Sequence, residues 1–157
     1  MSLVSYAIWA FMAGALIPLM GILNAGLARG AGGPVPATVI LFATAFAASL
    51  LLLLVTPARF PDLATLSRIP AAQYTGGLIV GFYVVSITFL APRFGVGNAI
   101  LFAVSAQLLT AALIDHFALV GAILRPLTPI RLVGLLIVVA GVVVTQVGDR
   151  VLAAARS

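Results

Sequence analysis

The sequence predicts an all-α membrane protein with about five transmembrane helices, and three observations carry that prediction. Of 157 residues, 64% are hydrophobic and only 7% are charged, where a soluble domain carries roughly a quarter. Too few charges remain to build a surface that water can solvate, so lipid is the solvent for most of the chain. Five stretches reach the ~20 mostly apolar residues a helix needs to cross the ~30 Å hydrocarbon. The connections between them are short and marked by glycine, proline and arginine, which leaves no room for a soluble domain. One transmembrane domain over residues 1–157 is the expectation.

The first span covers about residues 3–27. It begins at once, with no basic region before it and no small-residue cleavage site after it, so it reads as a retained helix rather than a signal peptide. It ends ahead of Arg29-Gly30-Ala31-Gly32-Gly33-Pro34. Within it Pro18 removes a backbone hydrogen bond and permits a kink, and Asn24 follows six residues later. The second span, 36–55, stops at Thr56-Pro57-Ala58-Arg59, and the longest polar connection follows, holding Asp62, Arg68 and Pro70. The third span, 74–91, carries Gly77 and Gly81, a small-xxx-small pair that lets another helix approach closely. Tyr83 lies deep in this span and is a candidate for ligand contact or for a local hydrogen bond.

The fourth span begins near Val96. As one helix to Leu124 its 29 residues would extend ~43 Å, longer than the hydrocarbon is thick. Either it tilts strongly, or it ends near Asp115-His116 and residues 117–124 lie along the interface. The second is preferred, because an ionised Asp is cheaper at the headgroups than at the midplane. The fifth span, 130–147, ends before Asp149-Arg150. Its Gly134, Gly141 and Gly148 recur every seven residues as a smooth seam for close packing.

Polar side chains in lipid usually turn toward a partner or a cavity. The fourth span is the richest in them, with Asn98, Ser105, Gln107, Thr110 and Asp115. At ~100° per residue, Asn98, Ser105 and His116 share one face, Gln107 lies nearly opposite, and Asp115 is about a quarter turn away. Polar groups on several faces imply that protein or a cavity surrounds this helix. Gln107, near mid-span, is the first candidate for substrate contact, with Asn24, Tyr83, Asn98 and Ser105 beside it. Asp115 and His116 are candidates for proton or ion coupling. The alternative for Asp115 is a pair with an arginine such as Arg125, or a helix-end cap.

Several classes are excluded. The chain has no Cys, so it forms neither disulfides nor thiolate metal sites, and one His cannot build a metal site alone. No cofactor is implied. One His and three Asp offer no nucleophile, base and orienter set, so an enzyme is not expected. The net charge of +5 comes from arginines that fall singly between apolar runs. They read as headgroup anchors, not as a nucleic-acid surface.

Five spans place Arg59, Arg68, Arg125 and Arg131 on the side of the N-terminus, and Arg29, Arg93, Arg150 and Arg156 on the other. Orientation follows Lys/Arg asymmetry, and here the sides are equal. Both orientations in one membrane are therefore expected, unless the first helix or one dominant arginine decides. Two opposed copies would make an antiparallel dimer of about ten helices around a midplane site.

Several segments resemble a known family: Tyr74 to Tyr83, Gly95 to Asn98, Ser105-Ala106-Gln107-Leu108-Leu109, Ile114-Asp115-His116-Phe117, and Pro18 with Asn24-Ala25-Gly26-Leu27. The chain is similar over nearly its whole length to the half-length YdcZ-like group of the drug/metabolite transporter superfamily. It departs at Met20, where the family often has Gln, and at Ala106 and Ala118, where Gly is usual. The resemblance implies a bacterial inner-membrane location and one half of a five-plus-five inverted-repeat transporter fold. The function expected is secondary transport, with export of a small metabolite or drug-like compound by an antiparallel dual-topology homodimer or a pair with a paralogous chain. The alternatives are a non-transporting subunit of another membrane protein and a channel.

Overall fold

A computed structural model describes the backbone of residues 2–154 and the side chains as far as Gly148. Arg156 and the side chain of Arg150 lie outside the described residues. Six α-helices are present among the described residues: α1 Leu3–Ala31, α2 Pro34–Val55, α3 Leu63–Arg68, α4 Gly76–Phe94, α5 Val96–Phe117 and α6 Pro129–Ala154. All but α3 are long and apolar enough to cross a membrane, and no strand occurs among the described residues. The protein is an all-α membrane protein.

Local chemistry sets the helix ends. Ser2 caps α1 by accepting from the Ser5 N–H, and α1 runs on past Leu27 until Gly32, whose φ of +83° turns the chain. The Gly33 N–H then bonds back to the Ala28 carbonyl at 2.9 Å. Only glycine takes that left-handed turn without strain. Pro34 opens α2 at a position where the missing N–H costs nothing. Asp62 caps α3 through the Thr65 N–H at 2.9 Å, and a single 3₁₀ turn, Ala71–Thr75, leads into α4. The Tyr74 hydroxyl donates to the Leu66 carbonyl at 2.8 Å, tying that turn to α3. Pro18 lies inside α1, which continues through it.

The chain divides into two compact units between Val96 and Gly97. In the first, α1, α2 and α4 pack on one another. The buried side chains are mostly small: Ala25 on α1, Ala37 and Thr38 on α2, Val84, Thr88 and Ala91 on α4. A Cβ at Gly21 would stand 3.4 Å from Ile87 Cγ2, and one at Gly81 would stand 3.7 Å from Phe42. Close backbone approach, not bulky side chains, brings these helices together, as expected where lipid removes the hydrophobic drive between helices. The large apolar residues, among them Phe11, Leu54 and Phe82, point outward.

The second unit is an antiparallel pair, α5 and α6, joined by an irregular connection. α5 ends at Phe117, the shorter of the two alternatives. After it Ala118, Val120 and Gly121 take left-handed φ values of 49°, 55° and 82°, and the Ala122 N–H bonds back to the Leu119 carbonyl at 3.0 Å. Two polar links join the helices. Gln146 Nε2 donates to Asn98 Oδ1 at 2.7 Å, and Arg131 pairs with Asp115 at 2.7 Å. Asp115 thus pairs with an arginine, and that arginine is Arg131 rather than Arg125. Arg125 contributes only backbone: its N–H donates to the Asp115 carbonyl at 2.9 Å. Arg131, in the first turn of α6, comes opposite Asp115, and its Nη1 also donates to the Arg125 carbonyl at 3.4 Å.

Candidate functional site

In the first unit one polar group stands out. Asn24 is 3% exposed, and its Nδ2 donates to Thr88 Oγ1 at 2.6 Å, joining α1 to α4. The Thr88 hydroxyl donates in turn to the Val84 carbonyl at 2.7 Å. A hydroxyl has one proton. With that proton on Val84, Thr88 must accept from Asn24, which settles which amide atom faces it. Asn24 Oδ1 is left buried without a partner, a state that costs roughly 1–3 kcal/mol.

Asn24 also lines a groove of about 350 Å³ between α1 and α2. Leu16, Met20 and Leu23 from α1 and Ile40 and Thr44 from α2 form most of its wall. The Thr44 hydroxyl donates to the Leu41 carbonyl at 2.8 Å, so it has no proton for a ligand and can only accept. The groove is therefore mostly apolar, with acceptors but no free hydroxyl donor among Asn24 and Thr44. Met20, where the family often has an amide, is one of its walls.

The remaining candidates fall elsewhere. Tyr83 is half-buried on α4, and it is not part of this groove. Asn98, Ser105 and Gln107 belong to the second unit. Asn98 is bonded to Gln146, Ser105 donates back to the Leu101 carbonyl, and Gln107 is exposed on α5. Asp115 and His116 are engaged at the far end of α5. The Leu127 N–H donates to His116 Nδ1 at 3.0 Å, fastening the ring to the connection before α6. A Cβ at Gly77 of α4, or at the seam glycines Gly134, Gly141 or Gly148, would meet no atom within 4 Å among the described residues.

Thr88, Gln146 and Arg131 were not singled out from sequence. Gln146 was within reach, because an amide near the end of the fifth span needs a partner for the same reason as Gln107. Thr88 gave no signal: a threonine in a helix can satisfy itself on the preceding turn, and only the crossing of α1 over α4 gives it a second role.

No curated protein and no solved structure matches the chain. The family model described as "Putative inner membrane exporter, YdcZ" matches residues 5–144, from the first turn of α1 into α6. With five helices able to cross the bilayer, the chain belongs to the YdcZ family of inner membrane exporters and is a multi-pass protein of that membrane.

Proposed function

We propose that the protein is a secondary transporter that exports a small metabolite or drug-like compound by alternating access, as an antiparallel dual-topology homodimer. The observation that carries substrate binding is the mostly apolar groove between α1 and α2, lined in part by Asn24, whose amide oxygen is buried without a partner. A purely structural asparagine would have both ends of its amide satisfied. Two features support the dimer. The arginines are balanced across the membrane, and the glycine faces at Gly77, Gly134 and Gly141 stand open in the single chain. An inverted copy, or a paralogous chain of opposite orientation, would complete the five-plus-five arrangement. Gln107, an exposed amide in the middle of α5, is the residue of the second unit we assign to substrate contact, with Asn98 and Ser105 as further contacts there and Tyr83 as a further contact in the first unit. Coupling through Asp115 and His116 would require the Arg131 pair to open.

Orientation is tested with Ser2→Cys and Ser157→Cys and a membrane-impermeant thiol reagent on intact cells. Partial labelling of both, completed on permeabilisation, is expected. All-or-none labelling of one end would rule out the homodimer and require an oppositely inserted partner chain. Flux of labelled compounds in proteoliposomes, with and without a pH gradient, tests transport. No flux across a broad panel, with folded protein present, would count against a transporter.

A further inference from the structure

The geometry points to a ligand class for the α1–α2 groove: a compact apolar molecule that presents one hydrogen-bond donor to Asn24 Oδ1. This rests on the transporter reading and narrows it. The groove holds about 350 Å³, at the lower end of small-molecule sites. Its wall is built from Leu16, Leu23, Ile40 and neighbours, so the body of the ligand is apolar. The Thr88 and Val84 chain commits Asn24 Nδ2 inward and leaves the oxygen as the acceptor without a partner. No arginine lines this groove, so nothing there would neutralise a carboxylate or phosphate, and an anion is disfavoured. A lipid acyl chain fits the walls but has no proton to donate. No carboxylate lines it either, so a cation is disfavoured for the same reason; neutral amines, amides and alcohols on an apolar frame are the class that remains.

Asn24 Oδ1 is closed to water, so a ligand in the groove has to move a wall residue to reach it. Met20 is the flexible, unbranched member of that wall. It stands four residues before Asn24 on the same face of α1. A glutamine at this position can reach Asn24 along the helix and satisfy the oxygen internally, as side-chain amides four apart do.

The test uses N-phenyl-1-naphthylamine, which has one N–H, and its N-methyl analogue, which has none. Binding of each to the full chain in nanodiscs is measured calorimetrically, with empty nanodiscs as the blank. The N–H probe is expected to bind about tenfold more tightly, the effect of one hydrogen bond to an otherwise unpaired acceptor. That preference is expected to fall within about twofold in Asn24→Leu, which removes the acceptor, and in Met20→Gln, which occupies it. Equal affinity in the unmodified chain, binding of neither probe, or a preference that survives both substitutions would overturn the assignment. Met20→Gln carries the test if Asn24→Leu does not fold. No ion gradient is involved, so the result is independent of whether the protein transports. Absence of flux with the preference intact would count against the transporter alone.

Discussion

The two units of this chain are held together by different physics. In the first, three helices meet over glycine, alanine and threonine, with Gly21 against Ile87 and Gly81 against Phe42, and one hydrogen bond between side chains crosses from α1 to α4. In the second, the buried apolar residues are only Ala99, Ala112 and Val142 among the described residues. Two polar links, Asn98 with Gln146 and Asp115 with Arg131, set the register of α5 on α6. Three helices can enclose a shared face, whereas a pair of helices leaves most of each exposed. Where contact area is small, directional bonds must fix the register. The unit with the packed interior is also the one that holds the groove, because a cavity needs walls that do not slide.

The comparison can be broken most forcefully at Gly21. Gly21→Leu forces a side chain into Ile87 and should destabilise the first unit by about 2–3 kcal/mol, read from the unfolding of Trp9 fluorescence in detergent. Trp9 is the single tryptophan of the chain, and a second tryptophan placed in α6 should report little change. If both probes shift together, the units are one cooperative block and the contrast fails.

The complementary experiment is Asp115→Ala. The pair is half-buried, between the exposed and buried limits for salt bridges, so a loss of about 1–2 kcal/mol is expected in the second unit. Arg131→Ala should do the same, and the double substitution should cost little more than either alone. Additive losses would mean that the two side chains act independently.

A smaller effect of opposite sign is expected in the α5–α6 connection. Ala118 and Val120 hold left-handed φ values that cost a residue with a Cβ about 1–2 kcal/mol. Ala118→Gly should stabilise the second unit by about 0.5–1 kcal/mol after the extra chain entropy of glycine is counted. Gly is also what the family usually carries there. A loss of stability would show that the turn is not strained in solution.

The smallest effect is local. Bonds from the Thr65 side chain, then from its backbone N–H, hold the Asp62 carboxyl below its ordinary value of 3.8. A depressed folded value means the cap supports α3 above the ordinary carboxylate pKa and is lost as pH falls through the folded value. Hydrogen exchange at the Thr65 and Leu66 amides should therefore quicken in acid, after correction for intrinsic rates. Asp62→Asn should keep the cap and remove the pH dependence.

How much of this was legible in the residues differs between backbone and side chains. The spans were readable because length and apolarity are local properties, and their ends because glycine and proline act on the next turn. Even there the structure extends α1 to Ala31 and α4 to Phe94, since Arg29 and Pro92 interrupt hydropathy without interrupting the helix. Asn24 could be named as a candidate from its place in an apolar run. That its oxygen is the unpaired end could not, because this depends on Thr88, 64 residues away. The same holds for Asp115, whose near neighbour in sequence, Arg125, offers backbone while Arg131 supplies the charge.

By itself, then, the sequence determined the solvent, the number of helices able to cross the membrane, their approximate ends and the family, but not α3. These follow from how many apolar residues stand in a row and from short motifs. The tertiary structure decided which polar groups pair and which one is left over. A hydrogen bond depends on angles and distances within a few tenths of an ångström, and helix crossings bring together residues that no spacing along the chain connects.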